Sequence, residues 1–322
     1  MKIVIPGGTG QVGHVLARSF VAAGHEVVVL SRRAEVAPGW RVVVWDGATV
    51  GDWAREIDGA EVVVNLAGRS VDCRYTEENR RQILSSRVDS TRALGEAIAR
   101  AAKPPRVWLQ SSTATIYAHR YDAPNDEATG LFESREKDYR PDWSFSVGVA
   151  KAWEEAALAA RAPATRKVLL RSAMIMSPDR GGIFDVLLKL VRLGLGGTAG
   201  SGRQYVSWIH DRDFVRAIFR LIEDESFEGP VNLAAPGPLS YAEFMRALRK
   251  AWGMPIGLPA TRWMLEIGAF FMGSETELVL KSRRVVPGRL LEAGFAFDFP
   301  RWPETAADLC ARRRSSLPPR SP

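Results

Sequence analysis

Cysteine is scarce in this chain, which has only Cys73 and Cys310 among its 322 residues. This scarcity excludes a disulfide framework and a cysteine-based zinc site, and we predict no metal ligands. Long apolar runs are also lacking, because the most apolar late stretch, 263–272, is interrupted by Glu266 and is too short to span a bilayer. The basic and apolar segments of a signal peptide are missing before the first strand. We therefore expect a reducing, cytoplasmic compartment and no membrane partner.

Aromatic residues are not interleaved with the basic ones, although the formal net charge is +7. Part of the positive excess lies in the tail, about 311–322, where Arg312, Arg313 and Arg314 precede a proline-rich end that we predict to be disordered. A nucleic-acid-binding protein usually combines basic residues with stacking aromatics or a known motif. We therefore predict no nucleic-acid partner.

The first thirteen residues are the most informative stretch that is present. A short apolar strand ending at Pro6 leads directly into glycines spaced G-x-x-G-x-x-G, and an amphipathic helix follows. Such glycines make a tight turn, let the backbone approach a pyrophosphate, and let helix and strand pack closely. The helix N-terminus attracts phosphates through its unpaired N–H groups. The stretch predicts a dinucleotide site that includes Gly7, Gly8, Thr9, Gly10, Gln11, Val12 and Gly13.

The end of the second predicted strand indicates which dinucleotide binds. An NAD site usually has an acidic residue here, which holds the ribose 2′-hydroxyl. This chain instead has Ser31, Arg32 and Arg33. Because a guanidinium matches a phosphate with charge-assisted hydrogen bonds, these residues favour NADP, or NADPH in its reduced form. The alternative is that they are two solvated arginines at a strand end.

Strands and helices alternate along the first half in the manner that builds a parallel sheet. The predicted strands are 2–6, 26–30, 41–45, 61–65, 106–110 and 167–171. The longest helical pattern lies near 76–102, and Pro104 and Pro105 end it. We predict an α/β fold, a Rossmann-type doubly wound parallel sheet with a smaller C-terminal substrate domain.

Domain boundaries follow from the point at which this alternation breaks down. Residues 1–171 form the predicted NADP-binding domain, and the chain returns to it at about 208–236 through an additional strand at 231–234. Residues 172–322 form mainly the predicted substrate domain. We expect the substrate pocket between the carboxyl ends of the first-half strands and the second half of the chain.

Several motifs together resemble the extended short-chain dehydrogenase/reductase superfamily. They are Gly7-Gly8-Thr9-Gly10-x-x-Gly13, Asn65-Leu66-Ala67-Gly68, Ser111-Ser112-Thr113-Ala114-Thr115-Ile116-Tyr117 and Lys151. The chain further resembles a branch of NAD-dependent epimerase/dehydratase-like proteins that is grouped with nucleotide-sugar epimerases. That closer resemblance is carried by Trp153-Glu154, Gly194-x-Gly196-Gly197, Gly200 to Gln204, Trp208-Ile209-His210, Asn232 to Pro238, and Val286-Pro287 to Gly294-Phe295.

The resemblance implies a catalytic centre from which this chain departs. The superfamily pairs tyrosine and lysine in Tyr-x-x-x-Lys, and the lysine lowers the phenol pKa so that it transfers protons near neutral pH. Here Lys151 supplies the lysine, Thr113 fits the serine or threonine position, and Val147 stands where tyrosine is expected. Without the phenol, we expect Lys151 to hold the nicotinamide ribose hydroxyls; the alternative is a surface lysine.

Further cofactor residues are expected where the third and fourth strands end. Asp46 ends the third strand, where the superfamily places the adenine amino group, and the alternative is an aspartate that caps the next helix. Leu66, Ala67 and Gly68 follow the fourth strand at the carboxyl edge, where open α/β sheets bind ligands. Small residues there let a ribose lie against the backbone.

Residues of the later chain are candidates for a small-molecule substrate. Arg203 offers a fork for an anionic group, and His210 titrates near physiological pH, although a structural role for His210 is the simpler alternative. The complete candidate set is Tyr117, Met174, Arg203, Tyr205 and His210.

Two classes of function stay open. The first is an NADP-dependent oxidoreductase or epimerase that acts on a small polar substrate, of which a nucleotide sugar is one example. The second is a non-catalytic NADP-binding sensor or regulator that has lost the active-site tyrosine. The sequence does not identify the substrate. It also leaves the oligomeric state open, and a homodimer is one of the states it allows.

Overall fold

The computed structural model describes residues 1–37, 39–261, 263–266 and 275–316. The chain divides into two compact units. Unit 1 comprises Met1–Ile116, Ser144–Ser172 and Val215–Val231, and unit 2 comprises Tyr117–Trp143, Ala173–Phe214 and Asn232–Pro322. The return to unit 1 lies within the predicted 208–236, whereas 117–143 falls in unit 2 rather than in the predicted first domain.

Strands and helices are interspersed along the chain. In chain order they are β1 (Lys2–Pro6), α1 (Gln11–Ala22), β2 (Glu26–Ser31), β3 (Arg41–Val44), β4 (Val62–Asn65), α2 (Glu77–Arg100), β5 (Val107–Thr113), α3 (Ser144–Leu158), β6 (Arg166–Ser172), β7 (Met174–Met176), α4 (Ile183–Arg192), β8 (Tyr205–Val206), β9 (Trp208–His210), α5 (Asp211–Glu223), β10 (Gly229–Leu233), β11 (Leu239–Ser240), α6 (Tyr241–Trp252), α7 (Glu277–Leu280), α8 (Gly288–Glu292) and α9 (Trp302–Ser315).

A seven-stranded sheet organises unit 1, in the order β10-β6-β5-β4-β1-β2-β3. Every neighbouring pair of strands from β6 to β3 in this order is parallel. Ile3 of the central strand β1 lies opposite Val27 of β2 on one side and Val62 of β4 on the other. These strands are rich in valine, isoleucine and leucine because helices cover both faces of a parallel sheet. The predicted Rossmann-type α/β fold is confirmed, and the carboxyl ends of β1, β2, β4 and β5 lie at one edge.

The core of unit 2 forms around two tryptophans and the helices α4, α6 and α9. Trp302 is buried, stacks on Phe244 with ring centroids 3.9 Å apart, and donates its indole N–H to the Phe244 carbonyl at 2.8 Å. Trp208 packs beside it, with ring centroids 5.2 Å apart. Unit 2 therefore has its own apolar centre, as expected for a domain.

The C-terminal arginines are helical where we expected disorder. Helix α9 continues to Ser315, and Arg312 forms two hydrogen bonds of 2.8 Å with the carboxylate of Asp211. Arg313 donates to the Pro178 carbonyl at 2.9 Å and pairs with Asp185. The prediction of a disordered tail is therefore wrong for 311–315, because these arginines meet carboxylates from distant parts of unit 2. The remainder, 317–322, lies outside the described residues.

None of the helices in the described part of the chain combines the length and apolarity needed to cross a membrane. The apolar stretch 263–272 lies partly outside the described residues. Across the described ranges there is also no cluster of three or more His, Cys, Asp or Glu side chains that could hold a metal ion.

Candidate functional site

The glycines between β1 and α1 make distinct contacts that explain their spacing. Gly7 has a φ of +74°, and a Cβ there would lie 2.6 Å from the Cα of Ala67. A Cβ on Gly13 would lie 2.2 Å from the Gly8 carbonyl oxygen, so only glycine lets α1 pack on this turn. Gly10 precedes α1 with no side-chain cap and with open space around it. The first helical N–H groups are therefore available to a ligand.

A cleft of about 1020 Å³ opens beside this turn, within unit 1. It brings together most of the residues predicted to bind a cofactor. These are Gly7, Thr9, Gly10, Gln11, Val12, Gly13, Ser31, Arg32, Arg33, Asp46, Leu66, Ala67 and Gly68. Gly8 and Lys151 do not line it; Gly8 packs behind the turn, where a Cβ would meet the Ile5 side chain at 2.9 Å.

The end of β2 presents its two arginines to the cleft. Arg32 and Arg33 are exposed, while Ser31 is buried and its hydroxyl accepts a hydrogen bond from the backbone N–H of Arg33 at 3.2 Å. That bond closes a local turn at the end of β2. Glu35, Asp46 and Asp89 also line the cleft, so its walls carry acidic groups as well as the two guanidinium groups.

Asp46 lines the cleft and also caps a turn. One carboxylate oxygen accepts the N–H groups of Ala48 and Thr49 at 2.9 Å each, and the other accepts the Thr49 hydroxyl. The Thr49 hydroxyl and these backbone bonds lower the pKa of Asp46. Asp46 therefore caps this turn rather than the next helix, Asp52–Glu56, which follows Gly51 without a side-chain cap, and a ligand would meet a carboxylate already held in place.

Gln11 supplies an independent sign that a ligand belongs in the cleft. Its amide nitrogen is buried and has no hydrogen-bond partner among the described residues. Buried hydrogen-bond donors normally have an acceptor, and a donor without one raises the free energy of the folded state. A bound ligand with an acceptor atom at this point would remove that penalty. The uncapped helix start, the open Gly10 and this donor together fit the oxygen-rich diphosphate of a dinucleotide.

One face of α2 forms a wall of the cleft that the sequence-based prediction missed. Its side chains are Gln82, Ser85, Ser86, Asp89 and Ser90. Arg69 also lines the cleft; it donates to the Gln82 side chain at 2.7 Å, and its backbone N–H donates to Ser86 at 3.0 Å. These polar residues recur at helical spacing along one long helix, and this pattern was the sequence signal that could have indicated a polar wall.

A buried polar network fixes the end of β4 next to the cleft. The Asn65 side chain donates to Gln110 at 2.9 Å and accepts the N–H of Ala67 at 3.1 Å. Trp153 and Thr91 extend the network through a 3.1 Å hydrogen bond from the indole N–H. The Asn65 side chain also donates to the Thr91 hydroxyl at 3.4 Å, so the network joins β4 to β5, α2 and α3 and holds the Leu66–Gly68 backbone in position.

The predicted catalytic residues Thr113 and Lys151 lie on β5 and α3. Thr113 ends β5, and its hydroxyl accepts the N–H of Thr115 at 3.1 Å. Lys151 is exposed on α3, and Val147, at the expected tyrosine position, is buried. Helix α3 is fastened to the sheet by buried Glu154, which accepts two bonds of 2.8 Å from Arg171 and one of 2.5 Å from Ser112.

Two predicted substrate residues of unit 2 are structural. His210 is fully buried and stacks on Phe299; its Nε2 bonds Asp308 at 2.9 Å, and its Nδ1 accepts the N–H of Arg212 at 3.1 Å. Tyr117 is 2% exposed, and its hydroxyl donates to Asn232 at 2.9 Å. Internal partners therefore occupy the polar atoms of both side chains, as the structural alternative for His210 expects.

The other predicted substrate residues are more accessible. Arg203 is exposed and lies over the Tyr121 ring at 5.5 Å, and half-buried Tyr205 lies beneath the guanidinium of Arg284 at 4.4 Å. Met174 is half-buried and packs against the core of unit 2. These three residues stay candidates.

Comparison with known families gives two matches along the chain. Residues 3–234 match the NAD dependent epimerase/dehydratase family, and residues 260–309 match DUF1731, a domain of unknown function. The first match includes all of the cleft residues described above.

Individual relatives cover nearly the whole chain. Epimerase family protein SDR39U1 of Bos taurus is 33% identical over 306 residues, 93% of this chain and 96% of the relative. Epimerase family protein YfhF of Bacillus subtilis is 28% identical and covers 98% of this chain and 100% of its own. The crystal structure of human SDR39U1 with NADPH superimposes with a TM-score of 0.82 at 29% identity, covering 97% of this chain and 99% of that one.

Proposed function

This chain belongs to the NAD dependent epimerase/dehydratase family, and from that premise we propose that it is an NADP-dependent oxidoreductase or epimerase acting on a small polar substrate. The observation that carries the proposal is the placement of Arg32 and Arg33 at the end of β2, in the same cleft as the glycine turn. Human SDR39U1, whose structure contains NADPH, supports the choice of cofactor.

Different cleft residues would bind different parts of NADP. The N–H groups at the start of α1 and the Gln11 amide would bind the diphosphate. Arg32, assisted by Arg33 and the Ser31 hydroxyl, would bind the 2′-phosphate that distinguishes NADP from NAD. Asp46 would meet the adenine, and the Leu66–Gly68 backbone would lie against a ribose.

Bound NADP supplies a hydride acceptor, and NADPH supplies a hydride donor. In the proposal, Lys151 orients the nicotinamide ribose and Thr113 hydrogen-bonds the reacting oxygen of the substrate. Val147 cannot move a proton, so the phenol that usually contributes about 10²–10⁴-fold is missing from its expected place. We therefore expect slow turnover unless another group supplies the proton. Arg203, Tyr205 and Met174 are the proposed substrate residues of unit 2, with a nucleotide sugar as one substrate class.

A second function is favoured by one observation, the burial of Val147 at the tyrosine position. A protein that keeps the cofactor cleft and lacks the phenol is suited to sensing the NADP pool rather than to catalysis. In this alternative the cofactor stabilises the folded state by mass action without being consumed.

Turnover separates the two functions. The purified protein is mixed with NADPH and a panel of aldehydes and ketones, or with NADP and a panel of nucleotide sugars, and both the cofactor absorbance and the sugar products are followed. An enzyme shows consumption or epimerised product that Thr113→Ala and Lys151→Ala both reduce. NADPH binding without any turnover supports the sensor, and turnover insensitive to both substitutions refutes the proposed catalytic residues.

A further inference from the structure

Arg87 of α2 carries a guanidinium with unusually few partners. Its Nη1 donates to the Ile83 carbonyl one turn earlier at 3.0 Å, and its charge lies over the Trp153 ring at 4.9 Å. Within the part of the chain that the structure describes, no carboxylate pairs with it. The nearby groups with negative forms are Tyr75 and Cys73, a phenol and a thiol rather than acids.

Arg87 is half-buried, and this partial loss of hydration makes the arrangement costly in the absence of a ligand. Removal from water lowers the pKa of Arg87 to about 10. Buried charges are ordinarily paired, because an unpaired ion loses its hydration without compensation. A ring face and one carbonyl compensate only part of that loss, since a guanidinium has five N–H donors.

The position of Arg87 relates it to the cofactor cleft. A Cβ added to Gly68 would lie 3.2 Å from both Cγ and Cζ of Arg87, so the guanidinium passes directly beside the turn that follows β4. Gly68 and Ser86 line the cleft, whereas Arg87 does not. The guanidinium therefore lies next to the proposed cofactor site and outside its walls, so the cofactor phosphates are not its natural partner.

The segment around Arg87 is anchored to the helix that carries Lys151. The Tyr75 ring packs edge-on against Phe145 of α3, with centroids 5.2 Å apart. Arg80 reinforces this contact by donating to the Tyr75 carbonyl at 3.0 Å and by lying over Phe145 at 5.0 Å. Arg87 thus lies between the loop after β4 and α3, and Trp153 holds its guanidinium plane in place.

We propose that Arg87 binds an anionic group, a carboxylate or a phosphate, of the small-molecule substrate, beside Gly68. The inference rests on the proposed function, because it assigns a substrate class to the enzyme that the cofactor cleft implies. A guanidinium binds either oxyanion with two parallel hydrogen bonds, and a fork held against an aromatic ring loses little freedom on binding. The bound anion would provide the missing ion pair.

Anion binding to the NADPH-saturated protein tests this assignment. Acetate and inorganic phosphate are titrated separately at constant ionic strength set with chloride, and the thermal midpoint is recorded. We expect at least one probe to stabilise the wild type, and Arg87→Met to weaken that response about 10- to 100-fold. Arg87→Lys should retain part of it. Arg81→Met is the matched control, because Arg81 lies on the same helix, is exposed and pairs with Glu78.

Two further readouts distinguish the ways in which the assignment can fail. NADPH affinity should be the same in the wild type and in Arg87→Met. A lower NADPH affinity of Arg87→Met would show that Arg87 binds the cofactor and would overturn the proposal. Without anions, Arg87→Met should be at least as stable as the wild type, since an unpaired, half-buried charge is removed. Lower stability with an unchanged anion response would make Arg87 a packing residue. Failure of the wild type to bind NADPH would instead refute the proposed function.

Discussion

Individual cationic side chains reach the cleft of unit 1 from different elements. Arg32 comes from the end of β2, whereas Arg69 follows β4 and is held by Gln82 and Ser86 of α2. A guanidinium held by its neighbours loses less freedom on binding than one free in solvent. The two arginines should therefore recognise different parts of NADP, Arg32 the 2′-phosphate and Arg69 the diphosphate that NAD shares.

Replacing Arg69 separates these roles. Arg69→Met should weaken NADPH and NADH binding alike, by about 1.5–3 kcal/mol, because the diphosphate is common to both. Dissociation constants from nicotinamide fluorescence check this, with Arg74→Met, an exposed arginine of the same loop, as the control. A loss confined to NADPH would place Arg69 at the 2′-phosphate instead.

Residues also differ in how much of their role the sequence reveals. Gly7, Gly10 and Gly13 were predictable because their spacing sets a local turn. The internal hydrogen bonds of His210 and Tyr117 were not predictable, because their partners, Asp308 and Asn232, lie about 100 residues away in sequence. Nothing local shows that a polar side chain is already satisfied by such a distant partner.

At the scale of elements, α1 depends on glycines for two separable reasons. Gly13→Ala places a Cβ against the Gly8 carbonyl and should lower the free energy of unfolding by about 1–3 kcal/mol. Gly10→Ala meets nothing within 4 Å and should change stability by less than about 0.5 kcal/mol. In the proposed cofactor site the added methyl group would lie next to the diphosphate, so NADPH affinity should fall roughly tenfold.

Urea unfolding and NADPH titration of both variants test this distinction. Gly148→Ala, in open space on α3, is the control that should alter neither quantity by much. Equal destabilisation by Gly10→Ala and Gly13→Ala would show that the open space at Gly10 does not decide its role.

The dependence of folding stability on acid pH should reveal the contribution of Glu56, whose carboxylate joins Lys2 of β1 to Arg41 of β3. Glu56 is bonded by Arg41 at 2.8 Å through both oxygens and by Lys2 at 3.2 Å, and these cations, Arg41 foremost, lower its pKa to about 2. Because the folded pKa lies below the ordinary value of 4.5, this stabilisation is present above about pH 4.5 and is lost as the pH falls towards 2.

Glu56→Gln should therefore cost about 1–3 kcal/mol at pH 7, a figure reduced because Arg41 is half-exposed and solvent screens the pair. Urea unfolding at pH 7, 4 and 2.5 measures the difference, with exposed Glu61→Gln as the control. A penalty that stays constant down to pH 2.5 would contradict the ionic explanation.

Element boundaries were largely predictable because buried parallel strands are continuously apolar. Each of the six predicted first-half strands is observed, and the predicted helix near 76–102 is α2. Strand β5 extends to Thr113, beyond the predicted residue 110, because Ser111 to Thr113 still pair with β6 despite their polar side chains. The polar face of α2 was missed because the part of a long helix that meets a ligand depends on tertiary packing.

At the scale of the whole molecule, the chain enters each compact unit more than once. Helix α5 begins in unit 2 and ends in unit 1, so no single boundary near residue 171 divides the chain. The alternation of predicted strands and helices indicated where the sheet ends. It could not show that residues 117–143 belong to unit 2, after which the chain re-enters unit 1. The family match, 3–234, likewise runs across both units.

The central claim is that the cleft of unit 1 selects NADP through the end of β2, and the comparison of NADPH with NADH binding tests it most directly. Dissociation constants are measured for the wild type and for Arg32→Ala. We predict that the wild type prefers NADPH, and that Arg32→Ala loses about 1.5–3 kcal/mol of NADPH binding while NADH binding is unchanged. Equal affinity of the wild type for the two cofactors, or an equal loss of both in Arg32→Ala, would contradict the account.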